Sequence, residues 1–381
     1  MKKALVLASV ASMIDQFNMN NIKLLQELDY EVDVVTNFKY GSTTSQYRVD
    51  EVRATLESDG VHTIHMPIPR KITDIRGIIS SYKAVKRLCN DNKYALMHCH
   101  SPIGSVVARL GAKKARKKYG TRVIYTAHGF HFFKGAPLVN WLTLFPVEWG
   151  CSFITDVLLT INKEDYVRAN KLMHAKEIDY IPGVGIDTAK ISAMIIDRVK
   201  KRKEIGIPDD CIAIYTVGEL NDNKNQEVIV KALGKLDHEK IHFVLCGQGD
   251  KKEHLMCVAC ECGIKDRVHF LGYRSDAIEI GKACDIFVFP SKREGLGLGA
   301  LEAMAEGLPI ITSNVHGIVD YSVNGVSGFT CAPNDVNGFS EAIEKLAYDK
   351  NLRERMGKAN IESVKRFDAS EVMKIMRGIY K

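Results

Sequence analysis

The segment that decides the fold is residues 285–305, Asp-Ile-Phe-Val-Phe-Pro-Ser-Lys-Arg-Glu-Gly-Leu-Gly-Leu-Gly-Ala-Leu-Glu-Ala-Met-Ala. It predicts a buried strand, then a loop with three glycines, then a helix start. Bare amides at such a helix start attract phosphate, and the helix dipole helps them. Glu294 and Glu302 can accept hydrogen bonds from hydroxyls on either side of a phosphate. The segment therefore suits a nucleotide joined to a sugar.

This pattern resembles the Glu-x7-Glu signature of the retaining GT-B glycosyltransferases of family 4. The downstream run at residues 307–313, Gly-Leu-Pro-Ile-Ile-Thr-Ser, adds to the resemblance. The resemblance implies that Glu294 holds donor-sugar hydroxyls, that Glu302 holds the ribose, and that the amides of Gly297 and Leu298 hold the diphosphate. The alternative is a surface loop that caps a helix, with Glu302 as an ordinary acid of the first turn.

The length and composition predict a soluble protein of two domains. The chain has 381 residues, of which 46% are hydrophobic and 26% charged, and no apolar run is long enough to cross a membrane as a helix. Residues 1–11 look like the apolar part of a signal peptide, but we assign them to a first buried strand. A helical pattern and a second strand at residues 31–36 follow, and cleavage would interrupt that β–α–β rhythm.

The ten cysteines lack the spacing of a small secreted scaffold, so we expect reduced thiols and a cytoplasmic protein. The tightest group is His254, Cys257, Cys260 and Cys262. Because this segment has the pattern of a helix that ends at Gly263, we interpret its cysteines as packing residues rather than zinc ligands. No metal site is predicted.

The charge is distributed unevenly along the chain. Residues 1–185 carry 25 Lys and Arg against 17 Asp and Glu, whereas the remainder carries 28 against 29. An anionic partner is therefore expected for the first half, and nucleic acid is not among the expected partners.

Strand and helix patterns alternate throughout the chain, which predicts parallel sheets covered by helices on both faces. The sequence predicts strands at residues 3–8, 31–36, 61–65, 95–99, 122–126, 156–161, 212–217, 242–246, 268–271, 285–289, 309–313 and 327–330. Two sets of about six strands imply two facing, doubly wound, Rossmann-like domains. This is the GT-B architecture that the resemblance implies, with ligands in the cleft beyond the carboxyl ends of the strands.

We predict an acceptor-binding domain at residues 1–185 and a nucleotide-sugar-binding domain at residues 186–368. The boundary lies at residues 181–187, a glycine- and proline-rich stretch. The family usually has Asn-Gly there, and this chain has Gly-Val-Gly. Residues 369–381 have helical apolar spacing, and the resemblance implies that this C-terminal helix crosses back onto the first domain.

On the donor side, the resemblance implies a phosphate contact after the first strand of the second domain. The family has Arg directly after a glycine, and Lys five residues later. Here Gly218 is followed by Glu219, and Lys224 matches the lysine. Glu219 would repel a diphosphate if it pointed inward, so we expect it to point outward or to bind a hydroxyl. Lys224 is alternatively a solvated lysine at a helix start.

Two further turns complete the predicted donor site. Gly247 lies in a glycine turn that allows a flat base to approach. The resemblance implies that the turn containing Phe270 and Arg274 covers the base, with Arg274 alternatively exposed. The family favours uridine diphosphate as the carrier, and guanosine diphosphate stays open. The donor half has no Asp-x-Asp motif, so we expect no metal; Lys224 and the loop amides would stabilise the leaving diphosphate.

On the acceptor side, the loop after the first strand lacks the Gly-Gly pair that the family often carries, so acceptor contacts would depend on Ser9 or Ser12. The resemblance implies that His128 touches the transferred sugar, since a neutral imidazole offers one donor and one acceptor. The alternative is a satisfied structural histidine at a strand end. His98 and His100 share one face of an earlier strand, and we place His100 toward the cleft.

Residues 130–153 contain seven aromatic residues, and a basic run, Lys-Lys-Ala-Arg-Lys-Lys, occupies residues 113–118. Aromatic belts beside basic patches favour a membrane surface and a polyprenyl-diphosphate-linked acceptor. An ordinary core segment beside a solvated basic helix explains the same residues, and both interpretations stay open.

The resemblance implies a hexosyltransferase of surface polysaccharide synthesis, for a capsule or an exopolysaccharide. We expect a cytoplasmic protein, peripheral on the inner face of the plasma membrane. Two alternatives stay open: a non-catalytic scaffold that binds nucleotide sugars, and a GT-B sugar-nucleotide epimerase. The epimerases lack the glycine-flanked glutamate pair, whereas Glu219 and the glycine-free first loop favour the scaffold.

Overall fold

The computed structural model describes residues 1–39, 45–236 and 238–381. The chain divides into two compact units: residues 1–184 with 370–381, and residues 185–369.

The first unit is built on a parallel sheet of seven strands in the order β3-β2-β1-β4-β5-β6-β7. The strands are β1 (Lys2–Leu7), β2 (Tyr30–Thr36), β3 (His62–His65), β4 (Leu96–Cys99), β5 (Arg122–Ala127), β6 (Val157–Thr160) and β7 (Glu177–Tyr180). The central strands are buried on both faces because helices cover the sheet on each side. These helices are α1 (Ala11–Phe17), α2 (Met19–Glu27), α3 (Gln46–Ser58), α4 (Ile75–Asn92), α5 (Pro102–Tyr119), α6 (Leu138–Ser152) and α7 (Lys163–Leu172).

The second unit repeats this plan with six parallel strands in the order β10-β9-β8-β11-β12-β13. The strands are β8 (Ile212–Val217), β9 (Ile241–Cys246), β10 (Val268–Gly272), β11 (Ile286–Phe289), β12 (Ile310–Ser313) and β13 (Gly328–Cys331). The helices are α8 (Thr188–Ala193), α9 (Arg198–Glu204), α10 (Gln226–Gly234), α11 (Lys252–Glu261), α12 (Ala277–Ala283), α13 (Leu298–Glu306), α14 (Val336–Tyr348) and α15 (Lys350–Val364).

The doubly wound fold class is confirmed, and all twelve predicted strands are present with ends within one residue. Strand β7, at the edge of the first sheet, was not predicted. Its four residues, Glu-Ile-Asp-Tyr, are exposed or half-buried. A short edge strand buries little apolar surface, so it leaves no apolar run in the sequence.

In each unit the strand order reverses beside the first strand, and the loops that follow the two central strands therefore lie together at the carboxyl edge. In the first unit these loops follow β1 and β4 and contain Ser9 and His100. In the second unit they follow β8 and β11 and contain Gly218 and Glu294.

The C-terminal helix α16 (Ala369–Tyr380) packs on the first unit, as predicted. The hydroxyl of Tyr380 lies 2.7 Å from Nδ1 of His98, which is buried on β4. Arg377 forms an ion pair with Glu27 of α2. Val372 is buried together with Met376 and Ile379, whereas Ile375 is 39% exposed.

Candidate functional site

The loop between β11 and α13 is held in place by two asparagines from the turn after β8. Nδ2 of Asn223 donates to the carbonyl of Arg293 at 3.0 Å, and Nδ2 of Asn225 donates to the carbonyl of Pro290 at 3.0 Å. Gly297, with φ of 92°, stands just before the first residue of α13 and supplies no side-chain cap. No side chain therefore caps the first amides of α13, and a helix start of this kind can bind an anion.

A lysine and a glutamate from the two central loops form the centre of this site. Nζ of Lys224 lies 2.7 Å from Oε1 of Glu294, and both side chains are mostly buried. The same ammonium lies 4.8 Å from the centre of the Phe289 ring, a cation–π contact. The structure thus brings together two of the residues predicted to be catalytic.

Tyr321 lies beneath the glycine loop, and the sequence analysis missed it. Its hydroxyl is buried and has no hydrogen-bond partner among the described residues. Burial raises the pKa of this hydroxyl, and the nearby charge of Glu294 raises it further. A side chain at Gly297 would stand 2.5 Å from the Phe289 ring and 3.2 Å from the Tyr321 hydroxyl, so packing requires glycine there.

Helix α13 carries two carboxylates one turn apart, Glu302 and Glu306. Burial raises the pKa of Glu302. Burial and the neighbouring Glu302 raise the pKa of Glu306 well above its usual value, although Lys282 opposes this. Oε2 of Glu306 is buried without a hydrogen-bond partner among the described residues. The sequence analysis missed Glu306, for which the spacing of four residues after Glu302 was the available signal.

At the turn after β8, two glycines expose the backbone, and the family's arginine is absent. Gly218 adopts φ of 146°, and its would-be side chain lies 3.3 Å from the Lys224 stem. A side chain at Gly247 would stand 1.8 Å from the Gly218 carbonyl, so these turns approach each other as closely as backbone allows. The Glu219 side chain is exposed, which agrees with an outward orientation.

The turn after β10 differs from the predicted one in how its side chains are used. Phe270 is partly buried and packs against the hydrophobic core of the second unit, and its predicted contact with the base stays a prediction. The Arg274 guanidinium forms ion pairs with Glu204 and Asp276. Both ion pairs restrain the Arg274 side chain. The predicted contact of Arg274 with the donor stays a prediction.

Three histidines meet at the carboxyl ends of β4 and β5 in the first unit. Nδ1 of His100 lies 3.0 Å from Nε2 of His128, and the rings of His98 and His100 are 4.1 Å apart. Burial lowers the pKa of His128 to about 4 and that of His98 to about 3. Burial lowers the pKa of His100 as well, so all three imidazoles are neutral near pH 7. His128 is half-buried, whereas His98 and His100 are buried.

The two serines predicted to contact the acceptor are buried, and Ser12 lies in α1 rather than in the loop after β1. Ser9 is 4% exposed and Ser12 is 8% exposed. The Ser9 hydroxyl has no hydrogen-bond partner among the described residues, and Gly104 of α5 packs against it. Both acceptor assignments stay predictions.

The cysteine-rich segment forms α11, as its pattern predicts. Nε2 of His254 lies 2.8 Å from the carboxylate of Glu227. Within the part of the chain that the structure describes, no group of three or more His, Cys, Asp and Glu side chains is placed to hold a metal ion.

The aromatic segment is partly core and partly surface. Trp141 packs against the hydrophobic core of the first unit, whereas Trp149 is 41% exposed. The basic run lies in the second half of α5, where Lys113, Lys114 and Lys117 are exposed. Of the helices in the described residues, none has the length and hydrophobicity needed to cross a membrane.

Both units match models of known protein families. The model described as "Glycosyl transferase 4-like" matches residues 6–161, and the model described as "Glycosyl transferases group 1" matches residues 197–363. Each model thus falls within one of the two structural units.

Two curated proteins are similar over nearly the whole chain. EpsD of Bacillus subtilis, which carries the name of a glycosyltransferase, is 33% identical over 100% of this chain and 96% of its own length. The Escherichia coli UDP-Gal:alpha-D-GlcNAc-diphosphoundecaprenol alpha-1,3-galactosyltransferase is 28% identical over 91% of this chain and 87% of its own length.

Among solved structures, Anabaena HepE in complex with UDP-glucose aligns with a TM-score of 0.79. The alignment covers 100% of this chain and 99% of HepE at 17% sequence identity. This likeness concerns the fold, and it confirms the GT-B architecture.

Proposed function

Because this chain belongs to the group 1 glycosyltransferase family and is a glycosyltransferase of the polysaccharide-synthesis type, we propose that it moves a sugar from a UDP-linked donor to a lipid-linked saccharide, with retention of configuration at the transferred carbon. Two alternatives weighed on sequence, a non-catalytic scaffold and an epimerase, lose support because the relatives carry the names of glycosyltransferases.

The observation that carries the proposal is the Lys224–Glu294 pair beside the uncapped start of α13. The amides of Leu298 and its neighbours would receive the diphosphate, while the Glu294 carboxylate would accept hydrogen bonds from sugar hydroxyls. Lys224 would stabilise the negative charge that grows on the leaving diphosphate. Fixed donors aimed at developing charge usually make the largest contribution to catalysis.

Retention of configuration follows if the acceptor attacks from the face that the diphosphate leaves. The departing phosphate then takes the proton from the acceptor hydroxyl, and no dedicated protein base is needed. Glu302 would hold the ribose, and His128 would contact a hydroxyl of the transferred sugar as a neutral imidazole. Support for UDP and for an α-linkage comes from the E. coli relative, whose name states both.

The proposal includes catalysis without a divalent metal. The charge of the diphosphate would be balanced by Lys224, the loop amides and the dipole of α13. If a metal were required, excess EDTA would abolish transfer, and added Mg²⁺ or Mn²⁺ would restore it.

A lipid-linked acceptor would place the enzyme at a membrane surface on the cytoplasmic side. The exposed Trp149 and the exposed lysines of α5 support this peripheral association. The substrate named for the E. coli relative, a diphosphoundecaprenol-linked GlcNAc, supports a polyprenyl diphosphate as the carrier.

The purified protein should be incubated with UDP- and GDP-sugars and with saccharides linked to prenyl diphosphates. We expect UDP release and a mass increase of one hexose or N-acetylhexosamine, with an α-linkage by NMR. An inverted linkage, or transfer from GDP-sugars alone, would contradict the proposal. Protein carrying Glu294→Gln is the matched control, because this change removes the charge and keeps the size.

A further inference from the structure

The first unit contains an apolar pocket that the donor chemistry does not use. It has a volume of about 270 Å³ and lies between the starts of α4 and α5, the loop after β5, and α6. Its walls include Ile72, Ile78, Val106, Phe130, Leu144 and Val147. A pocket of this size approaches the lower end of the range for small-molecule sites.

The charged group at this pocket is already neutralised. Glu148 is the one acid among the described lining residues, and its Oε2 lies 2.7 Å from the buried Arg109 guanidinium. Its Oε1 accepts a hydrogen bond of 3.2 Å from the Tyr125 hydroxyl. The pocket therefore suits a hydrocarbon rather than an ion.

The rim of the pocket is an exposed apolar surface. On α6, Leu138 is 80% exposed, Leu142 77% and Val147 45%. Glu148 is the single charged residue between Gly135 and Thr155, and it is buried. Ile72 and Ile75 add exposed apolar area at the start of α4. Such a patch on a soluble unit marks a contact with lipid or protein.

Basic charge lies at one end of this apolar surface. Lys71 and Arg70 are exposed and line a second, open pocket of about 550 Å³, and the next residue, Ile72, lines the apolar one. The acid in the second pocket, Asp74, accepts a hydrogen bond from the Gly77 amide and caps α4. Lys71 of the basic pocket and Ile72 of the apolar pocket are consecutive residues, so a basic surface lies next to an apolar one.

We infer that the apolar pocket receives the isoprene units nearest the diphosphate of the acceptor, and that Lys71 and Arg70 face that diphosphate. This inference rests on the proposed lipid-linked acceptor, and it adds the part of the protein that recognises the lipid. In such an acceptor an anionic diphosphate is attached directly to a hydrocarbon, just as the basic pocket lies directly beside the apolar one. A protein partner would not require a basic pocket beside the apolar one.

The inference can be tested by filling the pocket. Val147→Trp adds bulk inside it, whereas Val139→Trp makes the same change on the same helix at a residue that is 59% exposed and outside the pocket lining. We expect Val147→Trp to raise the KM for an undecaprenyl-linked acceptor about tenfold. The KM for the nucleotide sugar, and transfer to an acceptor with a methyl group in place of the lipid, should stay within about twofold.

Val139→Trp should leave all three values within about twofold of wild type. Equal effects of the two changes, or no effect of Val147→Trp, would overturn the inference. If Val147→Trp lowers the melting temperature markedly, Val106→Phe at the same pocket replaces it, with the same expectations.

A labelling experiment separates this inference from the proposed transferase activity, because it needs no turnover. A geranyl diphosphate that carries a diazirine on its terminal isoprene should label peptides from α4, α5 or α6 that line the pocket, and Val147→Trp should reduce the label. Labelling elsewhere would refute the pocket even if transfer occurs. Labelling in the pocket without any transfer would support the lipid site and contradict the proposed reaction.

Discussion

Nζ of Lys224 lies 2.7 Å from Oε1 of Glu294, although 70 residues separate them in the sequence. They meet because β8 and β11 are neighbours in the sheet and the loops that follow both strands lie at the same edge. Each side chain is partly withdrawn from water, which strengthens the attraction between them. The pair fixes the carboxylate and the ammonium relative to each other.

Glu294→Gln should lower kcat about 100-fold or more, because in the proposed reaction the carboxylate would contact the sugar and orient Lys224. The KM for the nucleotide sugar should change far less. Initial rates over a donor concentration series give both values. Glu341→Gln, at an exposed position on α14, is the control and should behave as wild type. A loss of donor affinity with kcat unchanged would show that Glu294 acts in binding alone.

Lys224 and Glu294 should also be coupled in a double-mutant cycle. Lys224→Ala together with Glu294→Gln should lower kcat by clearly less than the product of the two single effects, because each residue depends on the other. Additive effects would contradict a shared role.

Glu219→Arg should tighten UDP binding by about fivefold to tenfold, because an arginine at this turn would form charge-assisted hydrogen bonds with the diphosphate. Glu219 is exposed and its carbonyl accepts a hydrogen bond from Gln226, so the change leaves the turn intact. Calorimetric titration with UDP measures the affinity. Glu344→Arg on α14 makes the same charge change at another exposed position and separates a local contact from net charge.

His100 should fix the tautomer of His128. Nε2 of His100 is buried without a described partner, and an unpaired acceptor is less costly than an unpaired N–H. We therefore expect His100 to donate from Nδ1 to Nε2 of His128, which leaves His128 with its proton on Nδ1. Nitrogen-15 NMR of the histidine side chains distinguishes the two tautomers.

The two variants His100→Asn and His100→Phe test the consequence of this arrangement. Asparagine keeps a donor near the position of Nδ1, whereas phenylalanine removes it. We expect His100→Phe to lower kcat/KM about tenfold and His100→Asn to lower it about threefold or less. Equal losses would reduce His100 to a packing residue.

Lowering the pH from 7 to 5 should destabilise the first unit. Burial lowers the pKa of His98 to about 3, from an ordinary value of about 6.5. The unfolded chain therefore binds a proton that the folded chain excludes, so this stabilisation is complete above about pH 6.5 and is lost as the pH falls toward the folded value. At pH 5 the loss for His98 alone is about 2 kcal/mol.

Urea titrations followed by tryptophan fluorescence measure this loss. Trp141 and Trp149 both belong to the first unit, so the signal reports on that unit. His98→Gln should show a smaller loss between pH 7 and pH 5 than the wild type. An unchanged pH dependence in the variant would contradict the prediction.

Glu306→Gln should stabilise the second unit at neutral and alkaline pH by about 1–3 kcal/mol. Burial raises the pKa of Glu306, so the folded chain holds its proton more tightly than the unfolded chain does. That contribution is complete below the ordinary pKa and is lost as the pH rises through the folded value. Differential scanning calorimetry at pH 8 measures the gain, with Glu344→Gln as the exposed control. A lower melting temperature for Glu306→Gln would show that its charge is needed.

The sequence was informative about the fold because buried strands of parallel sheets are apolar runs separated by helical spacing. Twelve strands could be located in this way, and the glycine loop before α13 could be recognised from its strand–loop–helix context. The edge strand β7 escaped because a half-exposed strand of four residues leaves no such run.

The contacts that the site residues make could not be predicted from the sequence. Arg274 has the spacing of a donor ligand, yet its guanidinium pairs with Glu204 and Asp276. No sequence pattern around Tyr321 indicates that it belongs to the site, because it reaches the site by packing under Gly297. Which charged group meets which is set by strand order and by the packing of side chains that are distant in sequence.

By itself, the sequence determined the architecture and the identity of the glycine loop with its two acids, because both depend on periodicity and local spacing. The tertiary structure alone decided that Lys224 meets Glu294, that His100 meets His128, and that an apolar pocket forms beneath α6. These contacts join segments that approach each other when the sheets are complete, and no pattern within one segment encodes them.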